Sequence, residues 1–210
     1  MKTRKIAIVC NGEINDYEWL LSELLQYDTI IAANGGSGHL QKIQLVAHIL
    51  IGDQDSIEQP VHKDTMVISF PEDKDASDME LAINHAITLS PSEIDIFGGM
   101  GGRYDHQFCN IMVLTNYRKL ITIRTEQSNM QCISDGQTVE IIQKENAANI
   151  VTIMPVEKTA EVTTCGLLYQ MENEILERGS RGLSNIMINN SAAVMVHSGT
   201  VILFHSWETV

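Results

Sequence analysis

Short apolar runs rich in β-branched residues recur through the first 126 residues, each separated from the next by a stretch of helix-like character. They are IAIVC at 6–10, TIIAA at 29–33, VAHILIG at 46–52, MVISF at 66–70, EIDIFGG at 93–99 and LITIRT at 120–125. Strand-length runs alternating with helices predict a mostly parallel sheet covered by helices. The clearest helix spans 77–89, where Met79, Ala82, Ile83, Ala86 and Ile87 recur at a helical period. Ser77 or Asp78 suits its N-cap, and Pro91 follows its end. A second helix is expected over about 106–119, with Phe108, Ile111, Met112, Leu114 and Thr115 inward and Arg118 and Lys119 at its negative end. From about residue 127 the texture changes to β-rich runs broken by turn residues, among them CISDGQTVEII, NIVTIMPV and TVILFHS. This half reads as an antiparallel sandwich or barrel. Asp135–Gly136 and Ser198–Gly199 read as hairpin turns, since Gly readily supplies the positive φ they need. The expected fold is therefore an α/β N-terminal domain with a mostly parallel sheet, residues 1–126, and an all-β sandwich or barrel domain, 127–210.

Composition narrows the function classes. With 44% hydrophobic and 20% charged residues the chain can bury a sizeable core. Its 14 Lys and Arg against 27 Asp and Glu give a formal net charge of -13, which opposes sequence-independent attraction to nucleic acid or anionic membrane. An anionic ligand would need a metal ion or a local cluster of donors. The four cysteines, Cys10, Cys109, Cys132 and Cys165, are spread without a C-x-x-C pair, which argues against structural zinc and a disulfide framework. No stretch approaches the roughly 18 apolar residues that span a bilayer. The basic N-terminus runs into a first strand interrupted at Asn11 and lacks a cleavage region, so the protein is expected to be cytoplasmic.

Four apolar runs of the first half lead directly into Gly or acidic residues: ANGG at 33–36, GDQDS at 52–56, PEDKDASD at 71–78 and GGMGGRYDH at 98–106. In an open parallel sheet, ligands bind beyond the carboxyl ends of the strands, so these four segments can converge. Asp53 and Asp55, one residue apart on extended backbone, would point the same way and favour a hard cation, with Mg2+ the natural choice. A solvated turn with a helix cap at Ser56 is the plainer account of GDQDS taken alone. In KDASD, Asp75 and Asp78 sit at a helix start beside Lys74, where carboxylates often merely complement the helix dipole but free N–H groups can also hold phosphate oxygens. In GGMGGRYDH, the glycines allow close approach of backbone to a ligand, Arg103 offers a phosphate-suited fork, and Asp105 is a further metal ligand or base. His106 follows as a catalytic candidate or a hydrogen-bonded scaffold residue. The segment fits neither G-x-G-x-x-G nor the P-loop pattern.

Together GDQDS (52–56), KDASDME (74–80) and GGMGGRYDH (98–106) resemble the thiamine pyrophosphokinase family, whose pattern includes GD-x-DS, KD-x-TD-x-E and GG-x-GGR-x-DH elements. The similarity continues through ANGG (33–36), GLLYQM (166–171) and RGLSN (181–185); Ser77 replaces the usual Thr, and Ile186 stands where many bacterial members carry an acidic residue. The resemblance implies an N-terminal α/β domain, a C-terminal β-sandwich, and a homodimer with active sites between subunits. It implies transfer of the terminal diphosphate of ATP to the hydroxyl of thiamine, giving thiamine diphosphate and AMP. Asp53, Asp55, Asp78 and Asp105 would be magnesium ligands or phosphate-side carboxylates, with Asp78 or Asp105 receiving the hydroxyl proton and Arg103 assisting. Asn34, Gly35, Gly36, Lys74, Asp75, Gly99, Gly102 and Arg103 would hold the nucleotide. Ser184 and Asn185 would bind the aminopyrimidine, and Trp207 is a candidate face for the thiazolium cation. Two other classes stay open: another magnesium-dependent nucleotide-using transferase or phosphohydrolase, and a non-catalytic nucleotide or thiamine sensor.

Overall fold

The structure, a computed structural model, describes residues 4–53, 61–118 and 121–209. Asp55, with the rest of 54–60, lies outside the described residues, as does Lys119. The chain forms two compact units: residues 1–113 with 121–126, and residues 114–120 with 127–210.

The first unit alternates strand and helix. Its elements are β1 (Lys5–Val9), α1 (Tyr17–Leu24), β2 (Thr29–Ala33), α2 (Ser37–Lys42), β3 (Ile49–Gly52), β4 (Met66–Ser69), α3 (Asp78–Thr88), β5 (Glu93–Phe97), α4 (Tyr104–Leu114) and β6 (Ile121–Arg124). The strands pair in parallel in the order β6-β5-β1-β2-β3-β4. The chain winds outward from β1 to β4 and then returns to the other side of β1, making the carboxyl ends of β1 and β5 the topological switch point where ligands bind in such sheets. Burial on both faces explains why β1 and β2 read as continuous apolar runs instead of alternating ones. Ala7 and Val9 of β1 face Leu20, Leu24 and Leu40 of α1 and α2, while α3 packs on β1, β2 and β3 through Met79, Ala82, Ile83 and Ala86. Ser77 accepts from the Glu80 N–H (3.2 Å) and is the N-cap of α3, one of the two residues expected there. α4 begins two residues before the expected His106 start and ends at Leu114, leaving Arg118 outside the helix.

The second unit contains β7 (Ser128–Ser134), β8 (Thr138–Ile142), β9 (Ala147–Pro155), β10 (Thr159–Cys165), β11 (Glu174–Glu177), β12 (Asn185–Ile186), β13 (Ser191–Ser198) and β14 (Thr200–Thr209). β12-β9-β14-β7 form one antiparallel layer and β11-β10-β13-β8 the other. Val139 and Ile141, Val151 and Ile153, Ala160 and Val162, and Val194 and Val196 alternate inward into one apolar core. The turns expected to close hairpins do something else. β7 pairs with β14 and β8 with β13, so Asp135–Gly136 carries the chain from one layer to the other, as does Ser198–Gly199. Both glycines have positive φ (75° and 82°), so their turn chemistry was legible; strand alternation gives the inward face but not the partner.

Candidate active site

The carboxyl ends of β1, β2, β3 and β5 open into a cavity of about 660 Å³. One wall is the short 3-10 turn Asn34–Gly36 after β2. It lies close against β1: a Cβ at Gly36 would stand 1.9 Å from the Val9 carbonyl oxygen, an approach open to glycine alone. Asn34 is buried with φ 45°, a conformation Asn tolerates, and its Nδ2 donates to Asp53 Oδ1 (2.8 Å).

Charge is concentrated at one point of this cavity. Lys74 Nζ lies 2.7 Å from Asp53 Oδ2 and 3.1 Å from Asp78 Oδ1, so one ammonium bridges two carboxylates brought together from the end of β3 and the start of α3. The Asp53 bond raises the Lys74 pKa, and the ammonium stays charged. Asp78 Oδ1 is buried, and beside its ion pair with Lys74 it accepts no well-directed hydrogen bond, leaving an oxygen of the right hardness for a divalent cation. Two carboxylates plus substrate phosphates fit the ordinary coordination habit of Mg2+. Cys10 also lines the cavity, but burial pushes its thiol up to about 12, which removes it as a nucleophile.

Of the residues singled out by sequence, Asn34, Gly35, Asp53, Lys74, Asp78, Gly99, Gly102 and Arg103 line this cavity, as does His106. Gly36, packed on the Val9 and Cys10 backbone, and the exposed Asp75 are not among its lining residues. Asp105 stands apart from Asp53 and Asp78. Its carboxylate takes two bonds from the Arg103 guanidinium, at 3.1 and 2.6 Å, and that pairing holds it down at about 2. Among the described residues no group of three or more His, Cys, Asp or Glu side chains converges as a metal cluster.

The second unit presents Ser184 on its surface with φ 56°. Asn185 beside it is buried, with Oδ1 accepting from the Tyr169 N–H (3.0 Å) and Nδ2 donating to the Tyr169 carbonyl (2.6 Å). Its amide therefore shapes the surface around Ser184 instead of projecting from it. Trp207 is half-buried, with His205 5.2 Å away by ring centroids and Lys144 Nζ 4.9 Å from its own ring. Burial lowers His205 to about 4, and Lys144 adds to the effect.

The loop after β1, Cys10 to Glu13, escaped the sequence reading and forms a wall, while Glu72, within the 71–78 segment but not singled out there, contributes from beyond β4. The strand-end rule that drew attention to the other segments applies equally to β1, but Asn11-Gly12-Glu13 offers no pair of carboxylates to mark it. Asn110, whose Nδ2 donates to the Gly99 carbonyl (2.7 Å), carried no signal beyond its place on α4.

The first unit is an open parallel α/β sheet with an acidic, glycine-walled cavity at its switch point, where such sheets bind ligands, and the second is an antiparallel β-sandwich. Residues 21–125 match the family described as "Thiamin pyrophosphokinase, catalytic domain", and residues 137–203 match "Thiamin pyrophosphokinase, vitamin B1 binding domain". The chain belongs to the thiamin pyrophosphokinase family. The thiamine pyrophosphokinase of Bacillus subtilis (strain 168) is 29% identical over 219 residues, covering 99% of this chain and 100% of the relative. A thiamin pyrophosphokinase of Caenorhabditis elegans is 25% identical over 166 residues, 74% of this chain and 68% of its own. Among solved structures, the thiamin pyrophosphokinase of Geobacillus thermodenitrificans superposes with a TM-score of 0.82 at 26% identity, covering 98% of each chain. The yeast thiamin pyrophosphokinase shares the fold at a TM-score of 0.79 and 15% identity, over 100% of this chain and 88% of its own.

Proposed function

We propose that the chain transfers the diphosphoryl group of ATP to the hydroxyl of thiamine, releasing thiamine diphosphate and AMP. The observation that carries this reading is the Asp53–Lys74–Asp78 cluster at the switch-point cavity, within a chain whose family pairs a catalytic domain with a vitamin B1 binding domain. In the reaction, the thiamine hydroxyl oxygen attacks Pβ and the bond from Pβ to the oxygen shared with Pα breaks. AMP leaves with that oxygen, and the hydroxyl proton passes to a carboxylate, for which Asp78 in the cavity is the better placed and Asp105 the second candidate. Phosphoryl-type transfer asks mainly for alignment and charge neutralisation. Arg103 and Lys74 supply cations, while Asn34, Gly35, Gly99 and Gly102 let backbone approach the nucleotide, with Gly36 and Asp75 at its margin.

Mg2+ would be held by Asp53 and Asp78, with Asp55 and Asp105 completing the candidate set, and would neutralise charge on the transferred phosphates. Residues 1–126 are the nucleotide side of this reading and 127–210 the acceptor side, with Ser184 presented to thiamine, Asn185 shaping its surroundings and Trp207 the aromatic candidate. A cytoplasmic homodimer with active sites at the subunit interface completes the reading. Leu168, Tyr169, Leu183, Ile186 and Ile188, all exposed around the Ser184 segment, support it as a surface that a second subunit would cover. Among the described residues no helix is long and apolar enough to cross a membrane.

Incubating the protein with thiamine, ATP and Mg2+ should yield AMP and thiamine diphosphate in equal amounts. Formation of ADP and thiamine monophosphate would overturn the diphosphoryl assignment.

A further inference from the structure

A chain of polar groups outside the proposed machinery ends on the cavity wall. Lys42 Nζ donates to the Tyr17 hydroxyl oxygen (2.8 Å), that oxygen lies 2.9 Å from His39 Nδ1, and His39 Nε2 lies 2.8 Å from the Gly12 carbonyl oxygen. The proton positions follow from chemistry. A carbonyl oxygen only accepts, so Nε2 must carry a hydrogen; the neutral ring then has a bare Nδ1, which accepts from the Tyr17 hydroxyl. The phenol oxygen in turn accepts from the ammonium, which also lies 5.0 Å from the Tyr17 ring centre. Burial lowers the His39 pKa and the Lys42 charge lowers it further, outweighing the Gly12 bond, so the neutral ring is the working form.

The carbonyl at the end of this chain belongs to a pivotal residue. The Gly12 N–H donates to the Gly98 carbonyl (2.8 Å) and the Glu13 N–H to the Met100 carbonyl (2.9 Å), stitching the loop after β1 to the loop after β5. The contact is too close for a side chain: a Cβ on Gly12 would lie 2.2 Å from Met100 O and 2.5 Å from Gly98 O. Gly12 is thus held on both polar sides, by the 98–101 segment through its N–H and by His39 of α2 through its carbonyl. α2 itself follows directly from the Asn34–Gly36 turn, so three walls of the cavity are referred to one residue.

We infer that His39 is a positioning residue for the nucleotide site: its Nε2–H fixes the Gly12 carbonyl and so the spacing of three cavity walls, while Tyr17 and Lys42 fix its tautomer. The inference rests on reading this cavity as the nucleotide site. A histidine that only supported the fold would lower stability without separating nucleotide from thiamine.

The test is calorimetric binding of a non-hydrolysable ATP analogue with Mg2+, paired with steady-state thiamine KM, in wild type, His39→Leu, His39→Gln and Tyr17→Phe. His39→Leu should weaken analogue binding about 10-fold, the equivalent of one hydrogen bond, and leave thiamine KM within about 2-fold. His39→Gln keeps an N–H donor on a side chain of similar reach and should recover most of that loss. Tyr17→Phe frees the tautomer and should cost about 3-fold. Imidazole nitrogen-15 shifts at neutral pH should report the Nε2-protonated tautomer. A His39→Leu protein that binds the analogue as wild type does, or an Nδ1-protonated ring, overturns the inference. Should His39→Leu fold too poorly to assay, Tyr17→Phe decides: unchanged analogue affinity overturns the inference, and a selective loss supports it. Wild type that binds no nucleotide would instead overturn the functional reading itself.

Discussion

Lys74 illustrates how much a single residue settles at this site. Its ammonium is the common partner of Asp53 and Asp78, whose side chains are only 12% and 24% exposed, and without it two like charges would face each other half-desolvated. Replacing Lys74 by Met should therefore lower stability by roughly 1–3 kcal/mol in chelator, because the carboxylates lose their counter-charge. Added Mg2+ should restore much of that loss, since a ligand that binds only the folded state stabilises it by mass action. Melting temperatures with EDTA and with millimolar Mg2+ make the comparison. A Lys74→Met melt indifferent to Mg2+ would remove Asp53 and Asp78 from the proposed metal site. Sequence spacing marked only the Lys74–Asp78 arm of the bridge, an i,i+4 pair: Lys74 lies 21 residues from Asp53, and only the parallel pairing of β3 and β4 brings those two segments side by side.

At the scale of elements, the strand ends were the most legible part of the chain, because buried β-branched runs that stop at Gly or Asp announce both the sheet and its ligand edge. What joins the elements was less legible. Arg124, read only as the tail of the LITIRT run, places its guanidinium 2.9 Å from Glu23 of α1 and 3.2 Å from Asp95 of β5, with Tyr27 donating to the same Asp95 oxygen. A mid-strand Asp within EIDIF looks like a polar interruption until its partners, 29 and 68 residues away, are in place. Burial pushes the Asp95 carboxyl up to about 6, against the opposing pull of Tyr27 and Arg124. Arg124→Met would strand Asp95 and Glu23 without their cation and should destabilise the first unit by roughly 3–5 kcal/mol at pH 7–8. Without the guanidinium the Asp95 pKa rises further above its unfolded value, so the folded state binds the extra proton and the deficit narrows as pH falls towards 5. Urea titrations of both proteins at the two pH values test this; a deficit that widens on acidification would show that Asp95 is not the stranded charge.

Over the whole molecule, the excess of acidic residues sets a field that the two proposed substrates feel with opposite sign. A formal charge of -13 repels a nucleotide polyphosphate and attracts the thiazolium cation of thiamine. The acidic composition that argued against nucleic acid thus also implies that local groups, Lys74, Arg103 and a metal ion, must overcome an unfavourable long-range term before the nucleotide docks. That term is screenable, with a Debye length of about 30 Å at 0.01 M salt and about 10 Å at 0.1 M, whereas the contacts inside the cavity are screened far less. Raising NaCl from about 0.02 to 0.2 M at fixed free Mg2+ should therefore lower the KM for ATP and raise that for thiamine, each by a few-fold, with kcat nearly constant. Initial rates with each substrate varied in turn provide the measurement. KM values that move in the same direction would mean that overall charge does not govern the approach of either substrate, and that capture is decided within the cavity alone.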